Sequence, residues 1–244
     1  MPSAFQYTDS PDPIRPDLAD SYRRAWSHLA APGTWLTGAE RVAVADETRR
    51  ARNCAVCRER KAALTPFAVD GEHDHAGVLP APIVDAVHRL TTDSGRLTER
   101  WYRSLLEQGL TPEVYVEVVG VSVLVISVDR FHHALGLPPE SLPDAVPGEP
   151  TRERPDGICE GEAWVPMMTG RRVSAEVRLP APTAPYVIRA LSLVPAELKA
   201  WQDVSAAQYL APDQMLNFGN VRAISRSQIE LVAGRVSRLN DCFY

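Results

Sequence analysis

The sequence predicts an all-α protein, and three observations predict it. Few segments alternate apolar and polar residues with period two, as half-buried strands do. Polar cap residues stand in front of several helically spaced runs, and glycine or proline closes them. The longest apolar stretch lies between Thr111 and Gly136, a span far longer than an ordinary strand.

Taken in order, residues 1–15 are polar and punctuated by proline, which predicts an extended arm. A first helix is expected from Asp17 to Leu29. Thr37 with Glu40 three residues later makes a capping-box pattern. Val42, Ala45, Thr48, Arg49 and Arg52 then follow rough helical spacing, and Cys54 and Cys57 fall at the start of another helix. The stretch from Gly71 to Pro80 breaks that helix. Further helices are expected from Pro82 to Leu90 and from Leu97 to Gln108, the latter stopped by Gly109. Thr111 as N-cap and Pro112 at the first helical position open the apolar segment that closes on Gly136. Its β-branched residues favour a strand by propensity, but its caps, length and helical neighbours favour a buried helix.

Residues 137–160 hold Pro138, Pro139, Pro143, Pro147, Pro150 and Pro155 with charges between them, the pattern of a linker or a long wrapping crossover. Two short helices broken at Pro195 follow, then a last helix opened by Ser225. Placing Cys54 over Cys242 sets "TGAERVAVADETRRARNC" beside "SRSQIELVAGRVSRLNDC", so a duplicated helical unit is expected. The organisation is then an arm (1–15), a first helical unit with the C-x-x-C pair (16–136), a proline-rich crossover (137–180) and a second helical unit (181–244) cut at its motif.

The chain has 244 residues, 45% of them apolar, enough for a real core. With 26 basic against 31 acidic residues and a net charge of -5, it offers no broad basic surface, so neither nucleic acid nor anionic lipid is expected as a partner. The N-terminus lacks a basic region followed by an apolar run and does not read as a secretory signal, which makes a cytoplasmic location the expectation. The stretch from Val114 to Val128 is too short for a bilayer and carries Glu117 inside it. Four cysteines in such a chain point to redox or metal chemistry rather than a disulfide framework.

In "RNCAVCRERK" the two cysteines are three residues apart, hence one turn apart on one helical face and within reach of a disulfide. A helix N-terminus there, with Arg52, Arg58 and Arg60 nearby, favours the thiolate. That is what peroxide reduction or dithiol exchange requires. Two small buried residues, or half of a zinc site, are the other readings. Glu47 lies seven residues before Cys54, on nearly the same face, as a proton acceptor or as a solvated carboxylate paired with Arg49 or Arg50. "EHDH" (Glu72 to His75) adds ligand-type residues downstream; the interval from Cys57 to His73 suits a zinc module, although H-x-H departs from the usual spacing. His88, His132 and His133 fall on expected helices, as core or rim residues or as proton relays in a cavity. Cys159 has no partner pattern.

The final stretch, "QIELVAGRVSRLNDCFY", resembles the alkylhydroperoxidase D-like, or carboxymuconolactone decarboxylase, superfamily. The motif of that superfamily is a glutamate twelve residues before a C-x-x-C, with a histidine four after the second cysteine. Glu230 stands twelve before Cys242, and "LTERWYRSLLEQGLTPEVYVEVVGVSVLVISVDRFHHALG" looks like the turn and long helix that follow the active site. The resemblance implies an all-helical fold of two related units, a homo-oligomer, and an antioxidant thiol peroxidase acting on a small hydroperoxide with a thiol reductant, with no cofactor and no metal. It assigns Glu230 as proton acceptor and Cys242 as the first cysteine, with the second cysteine and the histidine falling past Tyr244. In the first unit Cys54 and Cys57 match the cysteine pair, while Val42 replaces the glutamate and Lys61 the histidine.

Three expectations follow. The natural chain continues past Tyr244 and completes the second site; or Cys54 and Cys57 carry the chemistry with Glu47, His73, His88 or His132 as relay; or the chain is a non-catalytic or decarboxylase-type member that serves as a helical binding or scaffold protein. An exposed cysteine pair that is rapidly alkylated and oxidised by substoichiometric peroxide would support the enzyme, and buried, unreactive thiols or one zinc per chain released by chelator would sink it.

Overall fold

A computed structural model describes residues 4–161, 163–168, 184–211, 214, 215, 217–219 and 222–239. Within them the chain is all-α: α1 (Pro16–Ala30), α2 (Gly38–Ala51), α3 (Ala55–Ala62), α4 (Ala81–Thr92), α5 (Glu99–Glu107), α6 (Pro112–Ala134), α7 (Tyr186–Arg189), α8 (Pro195–Gln208) and α9 (Arg226–Leu239). Short 3-10 turns at Pro66–Ala68 and Ser94–Arg96 lie among them, and Ile158–Cys159 (β1) pairs antiparallel with Met167–Met168 (β2).

The caps behave as their chemistry requires. Thr37 accepts from the Glu40 N–H while the Glu40 carboxylate accepts from the Thr37 N–H, so α2 opens on a complete capping box. Thr98 and Thr111 cap α5 and α6 by a one-way bond, their hydroxyls accepting from the Trp101 and Val114 N–H groups.

The β-branched apolar stretch is α6, and its burial explains why propensity loses. Val116, Val118, Val121, Leu124, Val125 and Val128 are all buried, and α6 packs against α1, α2, α4 and α8. A helix surrounded on so many sides is apolar nearly all round. α2 lies between α1, α4 and α6, and α8 rests on α1 and α6. Tyr22, Val44, Val87, Val121 and Leu198 therefore belong to one core.

The polar break in α6, Glu117, is fully buried and bonded to Arg41 of α2 at 2.5 Å; Arg41 also holds Glu197 of α8 at 2.7 Å, and His28 of α1 reaches the same Glu197 oxygen at 2.8 Å. Burial alone pushes the Glu197 carboxyl up, but Arg41 and His28 outweigh it and hold it down at about 2. Burial and the neighbouring Glu197 charge push Glu117 up instead. Gly120 is part of this arrangement, since a Cβ there would stand 2.6 Å from the Glu197 side chain.

Two segments pack more than their composition suggests. The N-terminal arm is anchored by Phe5, buried edge-on against Trp26, with its N–H donated to Glu140. The proline-rich stretch after α6 straps back over the loop between α1 and α2: the N–H groups of Val146 and Arg152 donate to Ala30 and Thr34 at 2.8 Å each. The two echoing helices differ in surroundings. α2 buries seven residues, whereas α9 buries Ile229 and leaves Leu231, Val232, Val236 and Leu239 exposed. No described helix is long and apolar enough to cross a membrane.

Candidate functional site

α2 ends at Ala51, and the turn through Arg52 and Asn53 delivers Cys54 as the N-cap of α3. Cys57 follows one turn in. Both thiols are free and buried, Cys54 fully and Cys57 with 3% of its surface exposed. The chain then loops out and returns through Gly71, whose φ of +152° lets it pass against Val56. That return brings His73 and Asp74 over the cysteines. α4 packs against α2 and α3 and supplies Asp85 and His88.

Four side chains converge. The Nδ1 of His73 is 3.7 Å from the Cys54 sulfur and 3.5 Å from that of Cys57, and the Nδ1 of His88 is 3.2 Å from Cys57. The donor atoms of Cys54, Cys57, His73 and His88 all lie within 4.8 Å of one another, and such a set could hold a metal ion.

Each histidine is fixed from behind. His88 Nε2 donates to Glu47 Oε1 at 2.8 Å, and His73 Nε2 donates to Asp85 Oδ1 at 2.9 Å. A carboxylate only accepts, so both Nε2 atoms carry a proton and both Nδ1 atoms face the sulfurs; the neutral His88 offers its Nδ1 lone pair to Cys57, while His73, held charged by Asp85 and the sulfurs, donates from Nδ1. The carboxylates are held in turn. Glu47 Oε2 accepts from the Ala76 N–H, and Asp85 accepts from the Trp101 indole at 2.6 Å and from Arg60.

The electrostatics follow from these contacts. Burial pushes the Cys54 thiol up, yet the Asp74 and Cys57 N–H groups and His73 outweigh it and lower it. Burial lowers His73, but Asp85 and the two sulfurs dominate and raise it to about 10. His88 goes the other way, lowered by its burial and by the neighbouring His73 against the pull of Glu47. Asp85, raised by burial, is brought down to about 2 by His73, Trp101 and Arg60.

No family model, curated protein or solved structure matches this chain. The site therefore stands on its own geometry.

Of the residues singled out in the sequence, the fold joins Cys54, Cys57 and Glu47 with His73 and His88. His132 lies elsewhere: it is buried on α6, bonded to the Tyr7 hydroxyl and the Pro138 carbonyl at 2.9 Å each, with Phe5 and Phe131 around it. Glu230 is on α9, bonded to the Tyr209 hydroxyl and Arg226, and Cys242 lies outside the described residues. Cys159 is exposed on β1. A cleft of about 470 Å³ lined by Tyr102, Arg103, Glu160 and Trp164 includes none of the four converging residues. Sequence reasoning passed over Asp85 and Trp101; the only local signal for Asp85 was its place three residues before His88, on the same face of α4.

Proposed function

We propose that the protein is a thiol-dependent oxidoreductase that reduces a small hydroperoxide through Cys57 and Cys54. One observation carries the reading: a continuous chain from the Cys57 sulfur to His88 at 3.2 Å and from His88 to Glu47 at 2.8 Å. A nucleophile within hydrogen-bond reach of a base, with the base oriented by a third group, is the arrangement that activates a cysteine. The likeness of the cysteine pair and the final helix to the alkylhydroperoxidase D-like superfamily supports the same reading, with the glutamate and histidine drawn here from positions 47 and 88.

In this scheme Cys57 gives its proton to His88 Nδ1, and the thiolate attacks the outer oxygen of the hydroperoxide. The O–O bond breaks, Cys57 becomes a sulfenic acid, and the leaving alkoxide takes the proton back from His88 as an alcohol. Cys54 then displaces hydroxide from the Cys57 sulfur, its own thiol proton leaving with that hydroxide as water. A thiol reductant returns two electrons and is itself oxidised to a disulfide. A reducing cytoplasm would keep the pair available for each turnover. Both thiols are buried, which counts against the reading for the pair as it stands; the scheme requires the 70–77 segment, which carries His73 and Asp74, to move aside and admit substrate.

The test is a pair of variants in the metal-free protein. Cys57→Ser should abolish hydroperoxide consumption, and Cys54→Ser should leave one reactive equivalent and a sulfenic acid trapped by dimedone. Unchanged turnover in Cys57→Ser rules the scheme out.

A further inference from the structure

We propose that Cys54, Cys57, His73 and His88 bind one zinc ion in a closed four-coordinate centre. The proposal goes beyond the redox reading, using the same side chains and none of its chemistry.

The sulfur–nitrogen distances are close to those of four-coordinate zinc. With Zn–S near 2.3 Å and Zn–N near 2.0–2.1 Å, neighbouring sulfur and nitrogen ligands stand about 3.6 Å apart. The three sulfur–nitrogen contacts here are 3.7, 3.5 and 3.2 Å. His73 sits almost midway between the two sulfurs, as a ligand to a shared central ion does; a single S–H donor would draw it to one of them. Both rings turn Nδ1 toward the sulfurs because Asp85 and Glu47 occupy the far nitrogens, so His88 is ready to ligate and His73 has only its Nδ1 proton to release on binding. That carboxylate–histidine pairing is how metal-bound imidazoles are oriented. Two sulfurs and two imidazoles in this geometry suit zinc, and not magnesium or calcium, which take oxygen ligands.

A second observation is independent of the distances. Across residues 55–78, which span α3 and the loop to α4, only Cys57 and Pro66 are buried. Apolar burial contributes little there, and the stretch meets α4 through polar contacts: Cys57 with His88, His73 and Arg60 with Asp85, and Lys61 with the Thr92 carbonyl. A four-ligand metal would add to these a fixed attachment of the stretch to α4, as structural zinc does in small cores. While zinc is bound the thiolates are capped, so a chain that holds zinc counts against the redox reading, which is confined to the metal-free form.

The experiment is metal analysis of the intact purified protein, followed by Zn²⁺ titration against a chromophoric chelator. One zinc per chain is expected. Co²⁺ in its place should give the strong visible bands of a tetrahedral ion and a near-ultraviolet thiolate charge-transfer band. Asp85→Asn should weaken zinc binding by about 10- to 100-fold while helical circular dichroism is kept. A folded chain that takes up neither ion overturns the proposal. Zinc binding with thiols that stay inert to hydroperoxide after stripping would leave this centre standing and remove the redox reading; rapid dithiol oxidation in a chain that never binds metal would do the reverse.

Discussion

Glu47 of α2 and His88 of α4 are both buried and stand 2.8 Å apart, and through this bond the contact between two helices becomes a constraint on the Cys57 sulfur. The bond fixes which imidazole nitrogen faces the thiol. Glu47→Gln should therefore slow hydroperoxide oxidation of the metal-free protein by roughly 10²-fold or more, since an amide can donate to Nε2 and move the ring proton to Nδ1. His88→Ala should cost about 10²- to 10⁴-fold, the range of a positioned acid–base group. Stopped-flow oxidation kinetics measure both. Equal rates for wild type and Glu47→Gln would remove the relay.

Arg41 is enclosed with Glu117 and Glu197 in the core. Arg41→Met should destabilise the fold by about 3–5 kcal/mol, because it strands buried carboxylates without their cation. Urea unfolding followed by circular dichroism reads this. A loss below about 1 kcal/mol would mean that the network contributes no more than an exposed pair.

The same network sets an acid limit. Glu197 is depressed to about 2 in the fold, so its stabilising contribution is present above its ordinary value of 4.5 and is lost as pH falls toward 2. At about 1.4 kcal/mol per pKa unit, that contribution is about 3 kcal/mol. Glu117, raised by burial, has the opposite sign: its contribution is present at low pH and lost as pH rises past the ordinary carboxylate range. Unfolding free energies measured from pH 5 to pH 2.5 should fall steeply in wild type and in Glu117→Gln, and much less in Glu197→Gln. An equal slope in all three would contradict the assignment.

Two glycine substitutions should differ in sign. Gly120→Ala places a Cβ against the Glu197 side chain and should destabilise by about 1–3 kcal/mol. Gly234→Ala in α9 meets nothing within 4 Å and should stabilise by up to about 1 kcal/mol through helix propensity. Thermal unfolding of the two variants side by side checks this, and a stabilised Gly120→Ala would contradict the close packing of α6 on α8.

Much of the helical layout was legible because caps are local chemistry. Thr37 with Glu40, Thr111 with Pro112, and the stop at Gly109 each fall within a residue or two of the observed ends. Phe5 gave no such sign. Its burial depends on Trp26 and Glu140, and a lone aromatic in a proline-rich arm has no periodicity to reveal it. The strap after α6 was readable as a crossover from its prolines, but its backbone bonds to Ala30 and Thr34 are set by tertiary packing.

The site divides in the same way. Cys54 and Cys57 announce themselves by spacing, and His73 by its ligand-type neighbours. The Glu47–His88 and His73–Asp85 pairs join residues from different elements, so nothing in either local stretch identifies the partner. Glu117 stood out as the charge within an apolar run, while its counter-charge, Arg41, lay 76 residues away in sequence.

The most direct measurement is a thiol count and peptide mass map of the metal-stripped wild-type protein after one equivalent of hydroperoxide. The account predicts the loss of two thiols and a single new disulfide between Cys54 and Cys57, with Cys159 still reduced. Retention of both Cys54 and Cys57 as thiols, or oxidation of exposed Cys159 ahead of them, would contradict it.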